Sequence, residues 1–189
     1  MRQEVTVTVD PTTMAAERQT SLGLYVTAKE AYDRWQADPE GVRLLDVRTP
    51  EEYVFVGHAP MATNIPLAFQ SFEWDADKRG FHWDLNPGFL SAVQAWAKPG
   101  DTLLVSCRSG GRSAMAIALL AKAGYTAAWN IVDGMEGDKV KDPDCVFDGM
   151  RMKNGWKNSG LPWTYEIDRD RMVLPKRESV SLQAGNDAD

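Results

Sequence analysis

Cysteine and histidine are scarce in this chain, with two of each among 189 residues. The two cysteines, Cys107 and Cys145, do not make a disulfide framework, so the default compartment is reducing and cytoplasmic. His58 and His82 are too few to argue for a zinc site. Positive charge is in deficit as well: 21 Lys and Arg stand against 27 Asp and Glu, a net charge of −6. That balance argues against general nucleic-acid binding and against attraction to an anionic membrane surface. No apolar run is long enough to cross a bilayer, and residues 1–10 lack the apolar core of a secretory signal. What is present is ordinary for a globular protein, with 43% hydrophobic and 25% charged residues. The length suits one domain with extra loops and a substantial core.

Residues 1–21 form an N-terminal extension, a short alternating stretch followed by a polar segment. It could add an edge strand or remain mobile, and the sequence leaves both open. From Thr27 onward the signals sharpen. Thr27 with Glu30 makes a capping box, and Ala28, Ala31, Tyr32 and Trp35 share one helical face. Residues 42–47 read as a strand. Thr49, Pro50 and Glu52 then open a second capped helix. Residues 62–66 form a short strand ended by Pro66. Asn86-Pro87 opens a helix with Phe89, Leu90, Val93 and Trp96 facing inward. Residues 102–106 read as a buried strand and 113–121 as a helix buried over most of its surface, with Gly124 as its C-cap. Residues 127–132 are the next strand. Strands alternating with helices predict an α/β domain over residues 22–165, with a central, mainly parallel sheet and helices on both faces. Two insertions interrupt it, near 69–85 and 136–154. Residues 166–189 read as a C-terminal tail, polar and disordered from 176.

Ligands of such sheets bind at the carboxyl ends of the strands. Two side chains fall there, Asp46 and Cys107. Cys107 opens the run Cys107-Arg108-Ser109-Gly110-Gly111-Arg112, which links a strand end to a helix start. Unpaired N–H groups and the positive end of the helix dipole favour an anion at that junction. Gly110 and Gly111 allow positive φ, so the amides can curl into a nest. Arg108 and Arg112 add positive charge at the mouth, and Ser113, or Ser109, can cap the helix. Cys107 is therefore a candidate thiolate nucleophile at the base of a shallow, positively charged pocket.

The ordered series Asp46-Val47-Arg48, Glu52-Tyr53, Gly57-His58-Ala59-Pro60, Asn64-Ile65-Pro66, the loop from Cys107 to Ser113, Gly124-Tyr125, Asp133-Gly134-Met135, Gly155-Trp156-Lys157 and Gly160-Leu161-Pro162 resembles a single-domain rhodanese. The resemblance spans roughly residues 22 to 165. It implies a rhodanese-like three-layer fold and a sulfurtransferase. Cys107 would take the outer sulfur of a small anionic donor such as thiosulfate and pass it, as a persulfide, to a thiol or protein acceptor. The loop amides from Arg108 to Ser113 would hold that persulfide, without metal or organic cofactor. The alternative reading is a redox-sensing or persulfide-binding module that does not turn over. Cysteine phosphatases and arsenate reductases carry a longer loop; four residues separate Cys107 from Arg112 here, which suits a sulfur atom better than a phosphoryl group.

Around the loop, Arg48 could gather anionic donors. The favoured reading is structural: Arg48 pairs with Glu52 at helical spacing, while Asp46 satisfies nearby amides. His58 reads as a hydrogen-bonded structural residue. Phe72, Trp74, Phe81 and Trp83 of the first insertion are expected in a hairpin that packs its aromatics on the domain or shades the site. Cys145 lies in the second insertion, which starts at the same sheet edge as Cys107. It could act as a resolving thiol, though a passive cysteine on a charged loop is the favoured reading.

Overall fold

The structure is a computed structural model, and it describes residues 9–77 and 79–174. The alternating stretch before residue 9 and the tail beyond 174 lie outside the described residues. The elements are β1 (Tyr25–Val26), α1 (Ala28–Ala37), β2 (Val42–Asp46), α2 (Pro50–Val56), β3 (Thr63–Asn64), β4 (Ala68–Asp75), β5 (Gly80–Leu85), α3 (Phe89–Trp96), β6 (Thr102–Ser106), α4 (Gly111–Lys122) and β7 (Ala128–Ile131). Both capping boxes form, at Thr27 with Glu30 and at Thr49 with Glu52.

Five strands make one parallel sheet in the order β1-β7-β6-β2-β3. Its two faces follow from the period-two alternation of strand side chains. Leu45 of β2 and Leu103 and Val105 of β6 point into a cluster with Phe89 and Val93 of α3 and Ile117 and Leu120 of α4. Leu44 and Leu104, one residue out of phase, join Ala28 and Ala31 of α1, Tyr53 of α2 and Trp156 in a second cluster. A near-continuous apolar strand is thus read as two cores, one on each face, as the sequence requires of a buried parallel sheet.

The central strands fix where the chemistry lies. β2 and β6 pair in register from Val42↔Thr102 to Asp46↔Ser106, so Asp46 and Cys107 emerge from neighbouring strands at one edge. β4 and β5 form a separate antiparallel hairpin. The segment from residue 166, assigned by sequence to a tail, carries on along the sheet edge. Met172 is buried beside β3, and the Val173 amide donates to the Asn64 carbonyl at 2.9 Å. The N-terminal extension is likewise tied to the domain: the Arg18 carbonyl accepts from the Asn130 amide group at 2.8 Å.

Candidate active site

The loop after β6 wraps the sulfur of Cys107. The first helical residue is Gly111, and the N-cap is Gly110, held at φ 95° in the left-handed region. A Cβ at Gly110 would sit 2.4 Å from the Val132 carbonyl oxygen, so only glycine fits this turn. Gly111 needs no such freedom, since positive φ is confined to Gly110 within the loop. In this conformation the Gly110 N–H donates to Cys107 Sγ at 3.2 Å. A backbone donor and the start of α4 both face the sulfur.

Ser113 does not cap the helix, and neither does Ser109; no side chain serves that role. Instead Ser113 is buried one turn into α4 with its Oγ 3.4 Å from Sγ, 3.0 Å from the Gly110 carbonyl and 2.6 Å from Asn130 Oδ1. One hydroxyl hydrogen can serve only one of these acceptors at a time. Asn130, in β7, uses its amide nitrogen to hold the Gly110 carbonyl at 3.0 Å. It escaped the sequence reading. The available signal was an amide inside the apolar run 127–132, because a buried polar side chain must find partners.

Cys107 itself is 1% exposed. Its carbonyl accepts from the Met135 amide at 2.8 Å, and that of Arg108 from the Glu136 amide at 3.0 Å. Gly134 lets these chains approach, since a Cβ there would lie 2.5 Å from the Cys107 carbonyl oxygen. The loop is therefore clamped from β7's far end as well as from its own helix.

The two loop arginines differ. Arg108 is exposed, whereas Arg112 is held by both oxygens of Glu52 at 2.5 and 2.6 Å. Burial pushes the Glu52 carboxyl up, but the guanidinium of Arg112 outweighs it and the net displacement is downward. Burial pulls Arg112 down, and Glu52 more than restores it. The Arg112 guanidinium also lies over the Trp83 ring, 4.5 Å from its centroid. Of the two charges expected at the mouth, then, that of Arg112 is engaged inside the protein.

Two cavities border the loop. One of about 280 Å³ is lined by Leu67, Trp83, Leu85, Arg108, Arg112 and Met115. The other, about 800 Å³, reaches Ser109 and Gly111 and is walled by the N-terminal segment and the second insertion.

Residues 27–140 match the family model described as a rhodanese-like domain. The chain belongs to the rhodanese-like family. It is 33% identical over 128 residues to the senescence-associated protein DIN1 of Raphanus sativus, covering 68% of this chain and 63% of that one. With the chloroplastic thiosulfate sulfurtransferase 16 of Arabidopsis thaliana it shares 39% identity over 94 residues, 50% of this chain and 71% of that one. The crystal structure of Rv0390 from M. tuberculosis superposes with a TM-score of 0.57 at 28% identity, over 75% of this chain and 96% of that one. The mixed α/β fold with its mainly parallel sheet is thus that of the rhodanese-like family.

Around the rhodanese-like loop, two sequence expectations change. Arg48 does not pair with Glu52. Its Nη2 binds Asp46 Oδ2 at 2.7 Å and the Gly57 carbonyl at 2.9 Å, and its side chain is 0% exposed. Asp46 also accepts from the Arg48 amide at 3.0 Å. Burial pulls the Arg48 guanidinium down and Asp46 overrides it. A side chain so enclosed does not meet donors at the surface. Second, the hairpin aromatics pack on one another rather than on the domain. Phe72 is 91% exposed, and Trp74 and Phe81 meet edge to face at 5.3 Å; Trp83 fits the alternative of shading the site, since it lies against Arg112 and lines the smaller cavity. Cys145, for which a passive place on a charged loop was the favoured reading, lines neither cavity, and both cysteines are free. Its amide and carbonyl close a turn between Asp142 and Asp148. His58 is structural as expected: it stacks on Tyr53 with ring centroids 3.7 Å apart, and burial pushes its imidazole down. Among the described residues no helix is long and apolar enough to cross a membrane.

Proposed function

We propose that this protein is a sulfurtransferase that carries a sulfane sulfur on Cys107. The observation that supports this reading most directly is the sulfur held at the β6–α4 junction by the Gly110 amide, 3.2 Å away, with the Ser113 hydroxyl oxygen beside it at 3.4 Å. With thiosulfate as donor, the Cys107 thiolate attacks the outer sulfur. A Cys–S bond forms, the sulfur–sulfur bond of thiosulfate breaks, and its electron pair leaves with sulfite. The negative charge then rests on the outer sulfur of the persulfide, where loop amides can bind it. Arg108, exposed beside the smaller cavity, draws the anionic donor in. An acceptor thiolate next attacks that outer sulfur and returns the electron pair to Cys107. Each step is thiol–disulfide-type exchange and needs no general base once the thiol is ionised.

The relative named as a thiosulfate sulfurtransferase supports the same chemistry at the level of the family. Mass spectrometry of the intact protein after incubation with thiosulfate is the test. A gain of one sulfur mapped to Cys107, absent from Cys107→Ser, is the expected result. No gain with thiosulfate, polysulfide or a persulfide donor would leave a binding or redox-sensing module that does not turn over.

A further inference from the structure

The larger cavity beside the loop is built from segments outside the central sheet, residues 13–18 and the second insertion. Its wall carries five basic side chains, Arg18, Lys139, Lys141, Arg151 and Lys153, against three acidic ones, Glu17, Asp138 and Asp142. In a chain of net charge −6 this is a local reversal of sign. The acids present do not neutralise it. Asp138 is paired with Arg18 and accepts from Asn154 Nδ2 at 3.1 Å. Arg151 makes its contact to a carbonyl, that of Gly137 at 2.6 Å, rather than to a carboxylate. Lys139 and Arg151 stand directly opposite each other in an antiparallel bridge. Like charges so placed repel, and the fold tolerates them at a cost unless an anion lies between. Burial and then Arg108 push the Arg151 guanidinium down, with Glu136 and Asp138 opposing them only in part.

We propose that this cleft is the acceptor subsite and binds a low-molecular-weight thiol bearing at least two carboxylates. The inference rests on the persulfide reading of Cys107. A volume of about 800 Å³ suits a small molecule of tripeptide size and exceeds what thiosulfate needs. The net negative charge disfavours an acidic protein at long range, whereas a small polyanion responds to the local field of the cleft. Ser109 and Gly111 form part of the wall, so the cleft ends at the loop that holds the sulfur. The persulfide extends the reactive atom by one sulfur–sulfur bond, about 2 Å, out of the buried position of Cys107. The bound thiolate attacks that outer sulfur, its own persulfide leaves, and the electron pair of the broken bond returns to Cys107 Sγ.

Glutathione and 2-mercaptoethanol serve as the charged and uncharged probes, reacting in single turnover with protein preloaded with sulfur. Lys139 and Lys153 are exposed, so K139Q/K153Q keeps the fold. The ratio of glutathione to 2-mercaptoethanol rate constants should fall about tenfold in this variant, the effect of two lost ion pairs. Added salt should lower the same ratio in the wild type and change it little in the variant. A ratio that does not move, or a parallel fall with both thiols, overturns the proposal. Calorimetric binding of S-methylglutathione to Cys107→Ser separates the two readings because it needs no transfer. Binding that weakens about tenfold in K139Q/K153Q supports the anion site even if no persulfide ever forms. Absent or charge-independent binding sinks the site, even where sulfur transfer itself proceeds.

Discussion

Asp46→Asn is the sharpest way to separate structure from substrate binding near the loop. The Asp46 carboxylate and the Arg48 guanidinium are 3% and 0% exposed, and they meet through Oδ2 and Nη2 at 2.7 Å. Two further contacts run from Arg48 Nε to the carboxylate, at 3.1 and 3.0 Å. An asparagine keeps the shape and one acceptor but removes the charge. Arg48 is then left as a buried cation whose remaining side-chain partner is the Gly57 carbonyl. Breaking one partner of a buried pair costs roughly 3–5 kcal/mol, because the surviving charge stays out of water. Against the ~5–15 kcal/mol that holds a typical domain folded, that is a large share. Urea denaturation should show the midpoint falling by roughly 2 M at an ordinary slope. In Asp46→Asn/Arg48→Met the second substitution should cost far less than it does alone, giving a coupling of about 2–3 kcal/mol. A loss below about 1 kcal/mol, with sulfur uptake from thiosulfate slowed in a well-folded protein, would refute this reasoning and return Arg48 to the donor site.

Further outcomes are expected. Glu52 has its carboxyl lowered in the folded state by Arg112, so its stabilisation is complete above the ordinary value of 4.5 and fades as pH falls below it. Glu52→Gln should therefore flatten the acid limb of stability against pH, measured by thermal melts at fixed salt; parallel curves would contradict the pairing. Gly110→Ala forces a side chain into a left-handed turn against the Val132 carbonyl, and a loss of about 2–4 kcal/mol is expected in denaturant titration. Ser113→Ala removes the hydroxyl beside Sγ and should slow persulfide formation about tenfold while costing about 1 kcal/mol of stability, read by stopped-flow and by urea. Phe72→Ser, at a position 91% exposed, should shift stability by less than about 0.5 kcal/mol; a larger loss would mean that the hairpin aromatics pack on the domain after all. Mild oxidation with non-reducing mass spectrometry should yield no Cys107–Cys145 disulfide, and Cys145→Ser should retain most of the sulfur-transfer activity.

The elements legible in the sequence were those whose cause is local. Thr27 with Glu30 and Thr49 with Glu52 announce their helices because a capping box involves four consecutive residues. Leu44, Leu45, Leu103, Leu104 and Val105 announce buried strands because both faces of a parallel sheet demand apolar side chains. The loop was legible for the same reason, since a cysteine between a strand and a helix finds amides and a dipole waiting. Partners were not. Glu52 looks equally able to serve Arg48 or Arg112, and sequence spacing favours the wrong one, because residues four apart on a helix are neighbours only where both lie within it. Arg48 precedes the helix, and its side chain turns back to Asp46.

By itself, then, the sequence determined the order of strands and helices from α1 onward, the parallel sheet and the place of Cys107 at its carboxyl edge, but not the edge strand β1. These depend on periodicity, capping and turn residues, which act over a few positions. Only the tertiary structure decided which charges stay free. It engaged Arg112 with Glu52, buried Arg48 on Asp46, brought Asn130 under the loop, and set the cations of a distant insertion beside Ser109. Those outcomes depend on residues far apart in the chain competing for the same partner in three dimensions, and no local pattern records who wins.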